Sequence, residues 1–420
     1  MREMKDSGID WIGDIPANWN VLKNKFIFNF HKDIVGNKVE SYERLSLTMN
    51  GVLKRSKDDN EGLQPIDFVG YQILKQGDLV FKLIDLQNTS TSRVGFSPFT
   101  GLVSPAYICL TPTNFINPSY AELYFLSMWY RNIFNHLGDS GVRSSLNATE
   151  LLEIPITIPS IAEQARIASF LDSKCAEIDS ITADIQKEIE LLQEYRKSVI
   201  TEAVTKGLDP DVEMKDSGVE WIGMIPKHWD INKGKNCLNL LLKPVRKEDD
   251  VITCFRDGEV TLRSKRREDG FTVSLQEIGY QGIDIGDLIV HGMDGFAGAI
   301  GISDSRGKAS PVLNVIDTKN NNKRYIMYYL RSMAYNGVFI ALATGIRVRT
   351  CDTNWSKLRE LPYTIPSRQE QNCIAFFLDS KCAEIDFIIE AKQKQLDTIA
   401  EYRKSLIYEY VTGKKEVPTV

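Results

Sequence analysis

The residues that could do chemistry are few and scattered. Four histidines, His31, His136, His228 and His291, fall in unrelated segments with no H-E-x-x-H and no metal-ligand spacing. The glycines 292, 295, 298 and 301 recur every third residue, which is not the G-x-G-x-x-G that brings a backbone against a pyrophosphate. Gly301 to Lys308 is one residue too long for a Walker A loop, and Ala309 stands where its Ser or Thr belongs. Phe296-Ala297-Gly298 approaches the F-x-G-x-G of an adenosylmethionine site, but Ile300 fills the last glycine position, and neither N-P-P-F nor D-P-P-Y occurs. Pro210-Asp211 with Glu213-Met214-Lys215 imitates a nuclease P-D…E-x-K at too short an interval. Glu3-Met4-Lys5 repeats the tripeptide, so a linker explains it better. The seven cysteines form no C-x-x-C pair, which fits reduced thiols in cores rather than disulfides or zinc. No catalytic constellation assembles, and the chain is expected to bind rather than catalyse.

What it could bind is written in its cations. Thr261 to Arg267 (TLRSKRR) brings Arg263, Lys265, Arg266 and Arg267 together, and Lys54, Arg55 and Lys57 occupy the comparable place in the first half. Each run follows a β-like stretch and a glycine, Gly258 or Gly51, as loop tips do. Arg143 after Gly141, and Arg347 with Arg349 after Gly345, form a second matched pair, and Lys82, Arg93 and Arg306 complete the candidate set. Arginine and lysine among Ser, Thr and Asn suit phosphates and guanine edges. A charge run alone is more often a solvated face; the matched occurrence in two otherwise divergent regions favours nucleic acid.

The elements that must position these loops are duplicated. Residues 4 to 19 (MKDSGIDWIGDIPANW) and 214 to 229 (MKDSGVEWIGMIPKHW) share 11 of 16 positions, and residues 163 to 179 match 370 to 386 in 14 of 17. EYRKS recurs at 194 to 198 and 401 to 405, while the stretches between these anchors share only echoes such as Gly77-Asp78-Leu79 with Gly286-Asp287-Leu288. A period near 210 residues is too long for a solenoid. Unequal inserts on equal frames imply two recognition tasks.

Heptad spacing of Leu171, Ile178, Ile185 and Leu192, with Ile181 and Tyr195 on the adjoining seam, predicts a long coiled-coil helix. Leu378, Ile385, Ile388, Ile399, Tyr402 and Leu406 repeat it, with Lys392 and Gln395 interrupting the seam. Ser160 and Ser367 are the expected caps, with Glu163 and Glu370 three residues on, and Gly207 and Gly413 the stops. Two such helices of roughly 30 residues, paired antiparallel, would make a rod about 45 Å long. The inserts read as mixed α+β with one helix each, Ser119 to Leu137 and Arg324 to Ala343, whose aromatic faces are expected in the core. The fold class is therefore α+β. Two mixed α/β domains are separated by two long antiparallel coiled-coil helices in a pseudo-twofold repeat. The boundaries are 1–157 for the first domain, 158–208 for the central helix, 209–364 for the second domain and 365–420 for the C-terminal helix.

Composition sets the outer limits. The 51 Lys and Arg against 56 Asp and Glu give a formal net charge of −5, which excludes a uniformly basic nucleic-acid coat. Neither a stretch of 18 uncharged apolar residues nor a signal-peptide h-region is present, so a cytoplasmic protein without membrane contact is expected.

The frame W-I-G-x-I-P-x-x-W, G-D-L, S-P, G-x-R, I-P-S, E-Q, F-L-D-x-K, I-D and E-Y-R-K-S, present twice, resembles the specificity subunit of type I restriction-modification systems. The resemblance covers essentially the whole chain. It implies a non-catalytic subunit whose two target recognition domains each read one half of a split double-stranded DNA target. It also implies that the helices dock two methyltransferase subunits, with restriction subunits joining to form the nuclease. S-adenosylmethionine, ATP and Mg would then belong to those partners, with no cofactor in this chain. The competing expectation is a two-domain protein-binding adaptor on a coiled-coil spacer, which would expose Tyr, Trp and Leu clusters where Arg, Lys and Ser loops stand.

Overall fold

The structure is a computed structural model that describes residues 2–59, 67–87, 91–138, 145–267, 277–341 and 353–418. The chain divides into two compact units. The first comprises Met1–Ile185 with Lys394–Val420, the second Gln186–Gln393. Each therefore takes part of both long helices, Ile161–Lys206 and Arg368–Val411. No helix among the described residues is long and apolar enough to cross a membrane.

The two inserts share one topology despite their divergent sequences. In the first unit a four-stranded sheet runs in the order Gly51–Arg55, Arg44–Thr48, Gly101–Val103, Gln72–Leu74, with the central pair parallel. The second unit repeats this order with the hairpin Ile252–Cys254 and Val260–Leu262 and the pair Gly307–Ala309 and Gln281–Ile283, joined by a parallel bridge between Val251 and Lys308. The other sheet of the first unit, Phe28–His31, Ile108–Pro112, Leu79–Phe81 and Val94–Phe96, corresponds to Asn239–Leu241, Leu313–Asp317, Leu288–His291 and Ile300–Ile302 in the second. Four of these strands, Leu79–Phe81, Ile108–Pro112, Leu288–His291 and Ile300–Ile302, overlap the runs that the sequence marks as β-rich, 77–84, 106–110, 287–290 and 299–302.

The expected single helix of each insert is two. Pro118–Tyr130 and Ile133–Leu137 are separated by Asn132 at φ 58°, and Lys323–Tyr335 and Val338–Ala341 by Gly337 at φ 70°. A left-handed residue ends a helix, and Asn and Gly are the types that adopt it. The aromatic faces are core as expected: Tyr120, Phe125, Tyr325 and Tyr329 are 0% exposed.

Both long helices begin where the cap pattern places them. Ser367 and Glu370 complete a reciprocal capping box, in which the Glu370 amide donates to Ser367 Oγ (3.3 Å) and the Ser367 amide to Glu370 Oε2 (3.2 Å). At the first helix only half is made, because Glu163 is taken by Arg2. The helix ends explain the conserved frame between the copies. Gly413 and Gly207 adopt φ 72° and 79°, and each lies over the last Trp of a W-I-G-x-I-P-x-x-W segment, Trp19 or Trp229, both essentially buried. A Cβ on Gly413 would lie 2.4 Å from Pro16 Cδ, whereas one on Gly207 would meet nothing nearer than 3.2 Å. Gly413→Ala is therefore expected to cost about 2–3 kcal/mol and Gly207→Ala about 1 kcal/mol. Urea unfolding of the two variants should reproduce that order.

Within each unit the helix halves run antiparallel. In the first unit Phe170 stacks at 4.7 Å on Tyr410, and Arg403 donates to Asp179 at 2.6 Å. In the second, Arg196 pairs with Asp386 and Lys392 with Glu188. Arg403 and Arg196 are the arginines of the two EYRKS segments, and Asp179 and Asp386 the aspartates of the two A-E-I-D segments, so the repeated motifs are partners of one another. Lys392, which interrupts the apolar seam, does so to reach Glu188.

The seam itself departs from the sequence expectation. Leu171, Ile178, Leu378, Ile385 and Leu406 are buried, and Ile185, Leu192, Ile388 and Ile399 are half-buried. Ile181, Tyr195 and Tyr402, however, are 50%, 50% and 56% exposed. The second burial row follows the i+4 position instead, at Cys175 and Ile189. Positions three and four residues on flank the same stripe, and a helix packed against a globular domain as well as a partner helix tilts toward the i+4 side.

Candidate nucleic-acid interface

In the first unit the cations sit at the end of the outer hairpin strand Gly51–Arg55. Thr48 faces Gly51 across a two-residue turn, and Gly51 takes φ 87°. Lys54 is half-exposed, lies 5.1 Å over the Phe99 ring and pairs with Glu43 at 2.5 Å. Arg55 Nε donates to Asp59 at 2.5 Å, and Lys57 Nζ to the Val39 carbonyl at 2.8 Å. These residues border a shallow cavity of about 460 Å³ shared with Tyr42 and Arg44.

The second unit builds the same place more densely. Strand Val260–Leu262 runs directly into the one-turn helix Arg263–Arg266. Arg263 Nε donates to Thr253 Oγ1 at 2.9 Å, and Lys265 Nζ to Ser305 Oγ at 2.7 Å. Arg266 lies 4.0 Å over the Phe255 ring and holds Asp257 bidentately at 3.0 and 2.7 Å, with Glu259 at 2.5 Å. Arg267 is exposed. Together with Arg256 and His291 these arginines line a cavity of about 670 Å³. His291 Nδ1 accepts the amides of Met293 and Asp294 at 3.2 and 3.0 Å, and burial depresses its pKa, so the neutral ring carries its proton on Nε2, 3.9 Å from Asp294 Oδ2. The hairpin tip is fixed by Arg331, which donates to the carbonyls of Gly258 (3.0 Å) and Ile300 (2.8 Å). A Cβ at Gly258 would lie 1.9 Å from its guanidinium.

Three other candidates play a different part. Arg93 is 0% exposed and spends its guanidinium on main-chain carbonyls, Asp85 at 2.7 Å and Lys82 and Ile84 at 3.4 Å, so it shapes a loop from within instead of meeting a ligand. Lys82 is half-buried, donates to Thr91 Oγ1 at 2.9 Å, and is held below the usual lysine range by burial and by Arg93. Arg306 grips both oxygens of Asp249 at 2.9 Å and also Asp284, which Lys243 holds at 2.8 Å. Arg143, Arg347 and Arg349 lie outside the described residues.

The Arg306 cluster makes a stability prediction. Asp249 is 1% exposed in its side chain, so Arg306→Ala takes the guanidinium from a buried carboxylate that keeps the Arg246 amide at 2.7 Å, at a cost of about 2 kcal/mol near neutral pH. Arg306 holds Asp249 below its ordinary pKa, and Lys243 with Arg306 lowers Asp284 to about 2. Carboxylates depressed in the folded state stabilise it above their unfolded pKa near 4 and lose that contribution as pH falls toward 2. The gap in thermal stability between wild type and Arg306→Ala should narrow across that window.

Sequence reasoning missed Arg256, which pairs with Asp294 at 2.8 Å, and the carboxylates Asp257 and Glu259 that hold Arg266. The alternation of sign along Arg256, Asp257, Glu259 and Arg263 was the available signal.

Comparison with known proteins gives this geometry its class. Residues 16–191 match the type I restriction modification DNA specificity domain. The chain assigned as the specificity subunit of the type I restriction enzyme MjaX of Methanocaldococcus jannaschii is 24% identical over 97% of this chain and 96% of its own length. The specificity subunit of the StySPI enzyme of Salmonella potsdam is also 24% identical, over 50% of this chain and 47% of its own. A solved chain from work on complex assembly and conformational transition of a type I R-M system has the same fold, with TM-score 0.69 at 10% identity, covering 96% of this chain and 99% of that one. The first part of the chain thus matches a type I restriction modification DNA specificity domain, and nearly its whole length is similar to a specificity subunit of such enzymes.

Proposed function

We propose that this chain is the DNA-reading subunit of a type I restriction-modification complex, each unit reading one half of a bipartite target. The observation that carries this is positional. Two inserts with little common sequence place their cations, Lys54 to Lys57 and Arg263 to Arg267, at the end of the same hairpin strand of one shared topology. Cations on a rigid hairpin meet phosphates and base edges at fixed register. The guanidinium of Arg267 and the ammonium groups of Lys54 and Lys265 supply donors, and Asp257 and Glu259 hold Arg266 in one orientation.

On this reading the paired helices set the spacer between half-sites and dock two methyltransferase subunits, and restriction subunits complete the nuclease. S-adenosylmethionine, ATP and Mg act on those partners, and the chain itself contributes no catalytic group. Methylome sequencing of cells carrying this chain with its methyltransferase tests the proposal. Methylation confined to one two-part sequence with a fixed gap is expected; methylation at a single uninterrupted site, or without sequence preference, would overturn it.

A further inference from the structure

Each unit contains a buried polar tie that apolar packing does not require. In the first unit Tyr120, on the insert helix Pro118–Tyr130, places its hydroxyl 2.9 Å from the carbonyl of Val411, the last residue of the terminal long helix, and 3.0 Å from that of Thr157. Thr157 Oγ1 donates to the same Val411 carbonyl at 3.1 Å. The second unit repeats the arrangement in its last helical turns: Tyr325 OH lies 3.3 Å from the Val204 carbonyl and 3.0 Å from that of Thr364, whose Oγ1 donates to Val204 at 2.9 Å. Tyr120, Thr157, Tyr325 and Thr364 are all 0% exposed.

The opposite flank of each insert helix is tied as well. The amide of its N-cap residue, Asn117 or Asn322, donates to a buried glutamine, Gln164 or Gln371, at 2.7 Å in both units. That glutamine donates in turn to the proline carbonyl before its own long helix, Pro159 or Pro366, at 3.0 Å. The insert helix is thus fastened to the start of one long helix and to the end of the other, twice over, with the same residue types.

We propose that these ties fix the angle at which each recognition domain stands on its helix pair, making Tyr120, Thr157, Tyr325 and Thr364 positioning residues for spacer discrimination. The inference rests on the bipartite reading above. Apolar contact is non-directional and tolerates a small slide. A buried hydroxyl aimed at a helix-terminal carbonyl does not, since any slide leaves a desolvated acceptor unpaired. Loosening the tie should therefore broaden the set of accepted spacers while leaving the half-site bases untouched.

The test uses the full complex with its methyltransferase subunits and a library carrying both half-sites with spacers from two base pairs below to two above the wild-type length. Tyr120→Phe with Thr157→Val, and Tyr325→Phe with Thr364→Val, should each raise methylation at spacers one base pair off by tenfold or more relative to the preferred spacer. Thr157→Ser, which keeps the hydroxyl, should retain wild-type strictness. Should a double variant fail to assemble, Tyr120→Phe alone, with the ring retained, decides, and its expected change is in the same direction. A spacer profile unchanged in assembled variants overturns the inference alone. A wild-type complex that shows no bipartite target overturns the functional reading and the inference with it.

Discussion

Replacing Arg263, Lys265 and Arg267 together by alanine should weaken target binding by the assembled complex about 100-fold near physiological salt, and through one half-site only. A good base contact is worth about 1–3 kcal/mol, and each lost phosphate contact lowers the slope of log K against log salt by about 0.9. Three cations thus predict a slope smaller by up to about three. Arg266 is left in place because its fork is occupied by Asp257 and Glu259, so its removal would confound charge loss with loosening of the hairpin. The companion variant, Lys54→Ala with Lys57→Ala, should relax the other half-site. Competition titrations against targets altered in one half at a time separate the two, and an unchanged salt slope would return the Arg263 cluster to the status of a solvated face.

The second large effect concerns the helices. Four residues inserted after Glu188, with four matching residues beside Lys392 to preserve the antiparallel pairing, lengthen each helix by about 6 Å and add about 40° of rotation. On the proposed function the preferred spacer should grow by one to two base pairs, with both half-sites unchanged. Sequencing of methylated sites reads the outcome directly. Altered half-site bases at an unchanged spacer would be incompatible with helices that set the distance.

Much of this architecture was legible because the chain states it twice. The long helices, their caps and their glycine stops follow from local chemistry, and so do the strands at Leu79–Phe81 and Leu288–His291. The breaks at Asn132 and Gly337 were overlooked because apolar periodicity runs through them, while a single positive φ decides. The exposed side chains of Ile181, Tyr195 and Tyr402 show the limit of heptad reading: it finds the stripe but not which flank a third body will cover. At the interface, composition counts cations without showing their partners. Arg93 and Arg306 look like any other arginine in one dimension, yet main-chain carbonyls hold the first and Asp249 and Asp284 the second. The Tyr120 tie was out of reach for a related reason, since its acceptor lies 291 residues away.

That distance has a consequence in time. The second unit is one uninterrupted stretch, Gln186–Gln393, whereas the first needs Lys394–Val420 to complete its core, Leu406, Ile407, Tyr410 and Val411 included. At about 5–20 residues per second, the ribosome delivers that closing segment roughly ten to fifty seconds after Ile185. The half made first is therefore the half finished last, and until then it exposes the apolar seat for Tyr410 to chaperones and to other nascent chains. Truncation near residue 400 would accordingly disable the unit that is translated first while sparing the uninterrupted one translated after it.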